Sequence, residues 1–210
     1  MSNLPLKTPP SSAEIAELPV FPGLPLDRIR ILQTDADFTE ALIAIRLARH
    51  VGFDTESKPT FSKGEVSTGP HVIQLAIDDC AYIIQVNPAT PLDFLKAVIE
   101  SDEIIKVGFG LNSDRGPLFK KLGISLRAAV DLSVALRSLR YKNALGVKSA
   151  VAVVLGQKMQ KPKWVTTSNW SVRELSPQQL LYAANDAYAS LKVFQGAGLT
   201  EAPQPKRHPD

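Results

Sequence analysis

An α/β fold with a mostly helical second half is what the sequence predicts, and three observations predict it. Short apolar, β-branched runs at residues 51–55, 71–77, 81–86 and 104–107 read as strands. Around them apolar residues recur at helical spacing, as in Leu42, Ile43, Ile45 and Leu47. Beyond Ala129 strand-like runs nearly vanish, and helical segments are expected at 132–139, 145–155 and 177–195.

Taken in order, residues 1–27 carry Pro5, Pro9, Pro10, Pro19, Pro22 and Pro25. Each proline fixes φ and lacks an N–H donor, so the stretch reads as an extended arm and not as a regular helix or central strand. Thr34 or Asp35 can cap the helix around residues 42–47. The runs 71–77 and 81–86 flank Asp78-Asp79-Cys80 and read as a hairpin. Residues 92–99 suit a helix, 104–107 a short buried strand, and 114–121 a helix that stops before Gly123. The last helix is the best marked: Ser176 caps it, Pro177 takes the first helical position, Gln179 completes a capping box and Gly196 closes it. Residues 199–210, with Pro203, Pro205 and Pro209, read as a frayed tail, which leaves one folded domain over 28–198.

At 210 residues, with 44% hydrophobic and 21% charged residues, the chain can bury the core of one ordinary globular domain. A net charge of +3 suits a polyanionic partner without requiring one. Cys80 is the single cysteine, which excludes an internal disulfide and a thiolate zinc site, and a reducing, cytoplasmic compartment is expected. His50, His71 and His208 are scattered without H-E-x-x-H spacing, so metal chemistry would have to use oxygen ligands. No apolar run approaches the roughly 18 residues of a membrane span and no signal-peptide pattern opens the chain, so no membrane partner is expected.

Three segments carry chemistry. In Phe53-Asp54-Thr55-Glu56 a strand acquires two acids that period-two geometry puts on one face. Adjacent carboxylates repel unless a cation neutralises them, and oxygen-only ligation points to Mg²⁺ or Mn²⁺. An isolated D-x-E, however, more often points into water at a strand end. Next, Lys106-Val107-Gly108-Phe109-Gly110-Leu111-Asn112-Ser113-Asp114 leads a buried strand through two glycines to an acid at a helix start. That acid could equally be a favourable first-turn partner of the helix dipole. The third segment, Tyr182-Ala183-Ala184-Asn185-Asp186, puts Tyr182 and Asp186 on one helix face. Asp186 lies among apolar neighbours, where a lone charge is costly, so it needs a partner.

In this order, with the acids of successive segments 60 and 72 residues apart, the three segments resemble the three exonuclease motifs of the DEDD superfamily. The similarity is to its tyrosine-bearing branch, which includes ribonuclease D and the exonuclease domain of the Werner-syndrome helicase. Further matching text is Ser57-Lys58-Pro59, Val72-Ile73-Gln74-Leu75-Ala76, Thr167-Ser168-Asn169-Trp170-Ser171 and Ala187-Tyr188, so the resemblance covers roughly residues 30–197. The histidine-bearing branch would have a histidine five residues before the last acid, where this chain has Leu181.

The resemblance implies a ribonuclease H-like fold: a mixed central β-sheet flanked by α-helices, on which Asp54, Glu56, Asp114 and Asp186 hold two divalent ions, Mg²⁺ or Mn²⁺, about 3.5–4 Å apart. It implies a 3′→5′ exonuclease that hydrolyses phosphodiester bonds from the 3′ end of RNA or single-stranded DNA. One ion would make a hydroxide nucleophile, the other would stabilise the departing 3′ oxygen, and nucleoside 5′-monophosphates would be released. Tyr182 would position the water or help to deprotonate it, and Glu56 would touch the terminal 3′-hydroxyl. Gln74 and Leu75 are the candidates to border the terminal nucleotide, and Thr55, Phe109 and Asn112 are further substrate-binding candidates.

Lys142, Lys148, Lys158, Lys161, Lys163 and Arg173 lie in the helical half near Trp164 and Trp170. Lys163 and Trp170 are the candidates for phosphate tracking and base stacking, against the plainer reading of a solvated lysine surface and a core tryptophan. Three rival functions stand beside the exonuclease. One is a catalytically silent nucleic-acid-binding module of the same fold, another a ribonuclease H-like endonuclease. The third is a protein whose acids, Asp131 included, are structural.

Overall fold

Six short strands form one mixed sheet in the computed structural model, which describes residues 7–62, 64–139, 141 and 143–199 and omits the side chains of Ser138 and Lys163. They are β1 (Ile29–Ile31), β2 (His50–Glu56), β3 (Val72–Ala76), β4 (Ala81–Gln85), β5 (Ile105–Gly108) and β6 (Ala129–Asp131), in the order β1-β4-β3-β2-β5-β6. The hairpin β3–β4 and the pair β2–β3 are antiparallel, while β1 with β4, β2 with β5 and β5 with β6 run parallel. This is the mixed sheet that the resemblance implied. The strands β1 and β6 were not expected from the sequence, because three residues are too few to show a period of two.

Alternation along the strands sorts side chains into two layers. Val51, Phe53, Ile73, Leu75, Tyr82 and Ile84 share one buried cluster with residues of α2 (Asp35–Ala48), α3 (Leu92–Ile99) and α4 (Asn112–Leu122), the helices that follow a short α1 (Ser12–Ala16). Val72, Ala76, Ala81 and Ile83 pack on the opposite face against the long C-terminal helix. The remaining helices are α5 (Leu132–Ala135), α6 (Val147–Ala150), which continues as a π-helical turn (Val151–Leu155), α7 (Lys163–Thr166) and α8 (Pro177–Gly196). No helix among the described residues is long and apolar enough to cross a membrane.

Helix α8 starts as its sequence dictates: the Ser176 hydroxyl accepts from the Gln179 N–H, the Gln179 side chain returns the bond, and Pro177 opens the first turn. Its buried face is thin because it is built from Ala183, Ala184, Ala187 and Ala189. That lets it lie directly on β2, where a Cβ at Gly52 would land on the Ala187 carbonyl oxygen. Glycine at 52, facing the backbone carbonyl of residue 187, thus sets the distance between sheet and helix.

The proline-rich arm differs from its extended reading in one respect. Between Pro10 and Pro19, Ser11 and Glu14 form a capping box that starts α1 in the one proline-free stretch long enough for a turn. Residues 19–25 are non-helical, turn at Gly23 and are strapped to the domain: Phe21 N–H donates to the Lys158 carbonyl (2.9 Å), Lys158 N–H to that of Pro19 (2.8 Å), and Leu24 N–H to Asn185 Oδ1 (2.6 Å). The strap's own Phe21 and Leu24 are buried against the domain. Residues 1–6 and 200–210 lie outside the described residues, and with them almost all of the expected tail.

Lys106 on β5 is fully buried and donates from Nζ to the carbonyls of Ser101 and Ile104, both at 2.6 Å. Burial lowers its ammonium to about 7. Between that value and the ordinary lysine range the unfolded chain binds a proton that the folded chain sheds, so this group makes stability rise with pH above about 7. Lys106→Met is expected to remove that rise. Urea unfolding of both proteins at pH 7, 8 and 9 checks it, and parallel pH dependences would refute it.

Candidate active site

Asp54 and Glu56 leave β2 on the face that α8 covers, and Asp186 comes down from α8 to meet them. One carboxylate oxygen from each of the three lies within 4.8 Å of the other two. Asp186 is 4% exposed, and its Oδ1 is buried without a hydrogen-bond partner. Asp114 stands outside this triplet in the first turn of α4, where it accepts from Thr55 Oγ1 at 2.5 Å. Thr55 therefore ties the end of β2 to the helix that carries the fourth acid.

The route to Asp114 explains the two glycines before it. A Cβ at Gly108 would strike the Phe53 carbonyl and the Leu111 side chain, and Gly110 has φ +70°. The turn is pinned by Asp131, whose Oδ1 accepts from the N–H groups of Gly110 and Ser133, both at 3.0 Å. Asp131 is thus a structural acid that caps α5.

Burial and mutual repulsion dominate the electrostatics. Burial pushes the Asp54 carboxyl well above the usual carboxylate range, with the charges of Asp186, Glu56 and Asp114 adding to it. Glu56 is raised to about 8 by burial and by Asp186, and Asp114 to about 6 by burial, against the opposing bond from Thr55. Burial also raises Asp186, although Lys161 opposes it. Lys161 Nζ is 2.5 Å from Asp186 Oδ2 and 4.9 Å from the centre of the Tyr182 ring. The Tyr182 hydroxyl is 3.0 Å from Thr166 Oγ1, and burial, then the Asp186 charge, raise its phenol.

The donor set fits a hard divalent cation. Three converging carboxylates, an orphaned buried oxygen and raised proton affinities describe more negative charge than Lys161 offsets, which an oxygen-ligated Mg²⁺ or Mn²⁺ would balance.

The other sequence candidates separate. Gln74 pairs with Asp54 across the β2–β3 register, on the same face, fully buried and with its amide unpartnered. Leu75 is a correction: one residue along the same strand, it faces the opposite layer, fully buried among Phe53, Ile73 and Ile84. Trp170 is a second correction. It has no exposed surface and packs on Tyr182 with ring centroids 5.8 Å apart, so it is core and offers no face to a base. Asn112 is exposed at the start of α4, and Phe109 is half-buried against the cluster around Val107. The side chain of Lys163, like Lys142 as a whole, lies outside the described residues.

Three residues near the acids had other roles or none in the sequence reading. Lys161, taken there only as a phosphate tracker, is the partner that Asp186 required. Trp164, 60% exposed, is the tryptophan that reaches solvent. Asn185, next to Asp186, holds the strap. Together they line a cleft of about 550 Å³ that has Tyr182 and Asp186 on one wall and the strap residues Phe21, Gly23 and Leu24 on another.

Comparison with known proteins gives concordant matches. Residues 29–196 match the model of a 3′-5′ exonuclease family. The chain is 33% identical over 170 residues to the mouse bifunctional 3′-5′ exonuclease/ATP-dependent helicase WRN, covering 79% of this chain and 12% of that protein. It is 32% identical over 170 residues to a 3′-5′ exonuclease of Arabidopsis thaliana, covering 80% of this chain and 56% of the plant protein. The chain thus spans only part of either relative. The structure of Trypanosoma brucei RNase D in complex with RNA U12 superposes with a TM-score of 0.69 at 20% identity, covering 94% of this chain and 67% of that one, and shares its ribonuclease H-like fold.

Proposed function

Because the chain belongs to the 3′-5′ exonuclease family, we propose that it is an active metal-dependent nuclease that removes nucleotides from the 3′ end of RNA or single-stranded DNA as nucleoside 5′-monophosphates. The observation that carries this reading is the convergence of Asp54, Glu56 and Asp186 to within 4.8 Å, with Asp114 beside them. The four carboxylates would hold two ions of Mg²⁺ or Mn²⁺, which when bound activate the attacking water and offset charge on the departing oxygen.

The chain's own residues do the rest. Tyr182, on the same face of α8 as Asp186, would orient the attacking water through its hydroxyl. The water oxygen would bond to phosphorus and release a proton to solvent, the bond to the preceding nucleotide's 3′ oxygen would break, and that oxygen would take up a proton from solvent. Glu56, at the end of β2, would accept from the terminal 3′-hydroxyl. The RNA U12 bound to the trypanosomal relative supports an RNA substrate, for which the cleft beside Tyr182 offers the indole of Trp164.

The test uses 5′-labelled single-stranded RNA and DNA, with and without a 3′-phosphate, in Mn²⁺, Mg²⁺ or EDTA. A ladder that shortens from the 3′ end only with metal supports the reading. Binding without degradation in either metal would replace it with the silent binding module. Within an active enzyme, Trp164→Ala is expected to raise KM about tenfold with kcat nearly unchanged, since base stacking contributes roughly 1–3 kcal/mol. Steady-state kinetics on a 12-nucleotide RNA decides, and an unchanged KM would remove Trp164 from the substrate path.

A further inference from the structure

We infer that Lys161 is a built-in counter-cation that holds the Asp186 carboxylate in the metal-free protein and must be displaced for a divalent ion to bind, so that the site's metal affinity is set by competition with a side chain of the same chain. This rests on the metal-dependent reading above. Asp186 is buried on α8 opposite Asp54 and Glu56, and a carboxylate there with no cation would be strongly disfavoured. Lys161 Nζ supplies the cation at 2.5 Å, while its side chain keeps 23% of its surface exposed.

The location suits exchange. Lys161 lies in the non-helical stretch before α7, on the wall of the open cleft, and reaches Asp186 across the ring of Tyr182. An ammonium on a four-carbon stem can swing into that cleft without moving α8 or β2, the two elements that carry the acids. A divalent ion on the Asp186 oxygens would face a like charge at contact distance, so Lys161 and the ion exclude one another. Once released, the ammonium remains in the cleft proposed for the substrate, where a phosphate can take the place of the carboxylate.

Calorimetric titration of Mn²⁺ into nucleic-acid-free wild type, Lys161→Met and Lys161→Arg tests this, with thermal melts of each in EDTA. Expected are Mn²⁺ binding at least about fivefold tighter in Lys161→Met, together with a lower melting temperature in EDTA. Lys161→Arg should keep the EDTA melting temperature and bind Mn²⁺ more weakly than wild type, because a guanidinium grips a carboxylate in two places. Unchanged or weaker Mn²⁺ binding in Lys161→Met, or unchanged binding in Lys161→Arg if the methionine variant does not fold, would overturn the inference while leaving the metal site standing. Absence of Mn²⁺ binding in wild type would overturn the metal reading and the inference with it.

Discussion

Asn at position 54 is expected to abolish 3′-end shortening and, in the same protein, to raise the melting temperature in EDTA. Asp54 converges with Glu56 and Asp186 and is repelled by Asp186, Glu56 and Asp114. Asp54→Asn keeps the shape of the side chain and removes one of the converging negative charges. The rate should fall on the order of 10³-fold or more, the scale of losing a group that stabilises transition-state charge. Metal-free stability should rise by roughly 0.5–2 kcal/mol, the usual gain when a strained functional site is relaxed.

The pH dependence follows with a definite sign. Asp54, Glu56 and Asp114 all take up protons more readily in the folded chain, Glu56 at about 8 and Asp114 at about 6. Between the ordinary carboxylate range and those values the folded state binds the extra protons, so metal-free wild type should lose stability as pH rises from about 4 to 8. The loss should be smaller in Asp54→Asn. Melting curves in EDTA across that range, set beside initial rates in Mn²⁺, test both halves. A variant that is inactive and also less stable would show that Asp54 is a structural acid.

Gly52→Ala is expected to be more damaging than any other single methyl addition in the domain. The new Cβ would occupy the space of the Ala187 carbonyl, and neither β2, at the centre of the sheet, nor the buried stretch of α8 has a flexible side chain that could yield. The loss should reach or exceed the upper end of the roughly 1–3 kcal/mol typical of overpacking. Activity should fall further than stability accounts for, because lifting α8 carries Asp186 away from Asp54 and Glu56. Urea denaturation measures the first effect and turnover under fully folded conditions the second. Wild-type stability in this variant would mean that the helix does not sit at the observed distance.

What could be read in the sequence was whatever is encoded locally. Ser176, Pro177 and Gln179 announce the start of α8 within four residues, and Thr34 announces α2 with Asp37 as its reciprocal partner. Asp54, Glu56 and Asp186 could be picked out because each interrupts an apolar pattern, and Asp114 because it follows two glycines at a helix start. What escaped notice depends on contacts between distant residues. Lys161 lies in an irregular stretch, and nothing in its neighbourhood says that it reaches into the acid cluster. Trp164 and Trp170 differ in exposure because of how one loop folds beneath α8, which no period reveals. Leu75 is a different kind of miss: the alternation that places Asp54 and Gln74 on one face requires the next residue of β3 to face the other way.

The seating of α8 on β2 also bears on how the protein is made. The helix that closes the sheet's second face follows every strand in the sequence, whereas β2 and its two acids come early. As the chain leaves the ribosome, Val72, Ala76, Ala81 and Ile83 must wait uncovered until residues 177–196 emerge, and over that interval Asp54 and Glu56 have no Asp186 to complete the triplet. Until that helix emerges, the nascent chain has no complete carboxylate triplet. The order of elements therefore acts as a delay, and the same interval, with an apolar sheet face exposed, is when the chain most needs a chaperone.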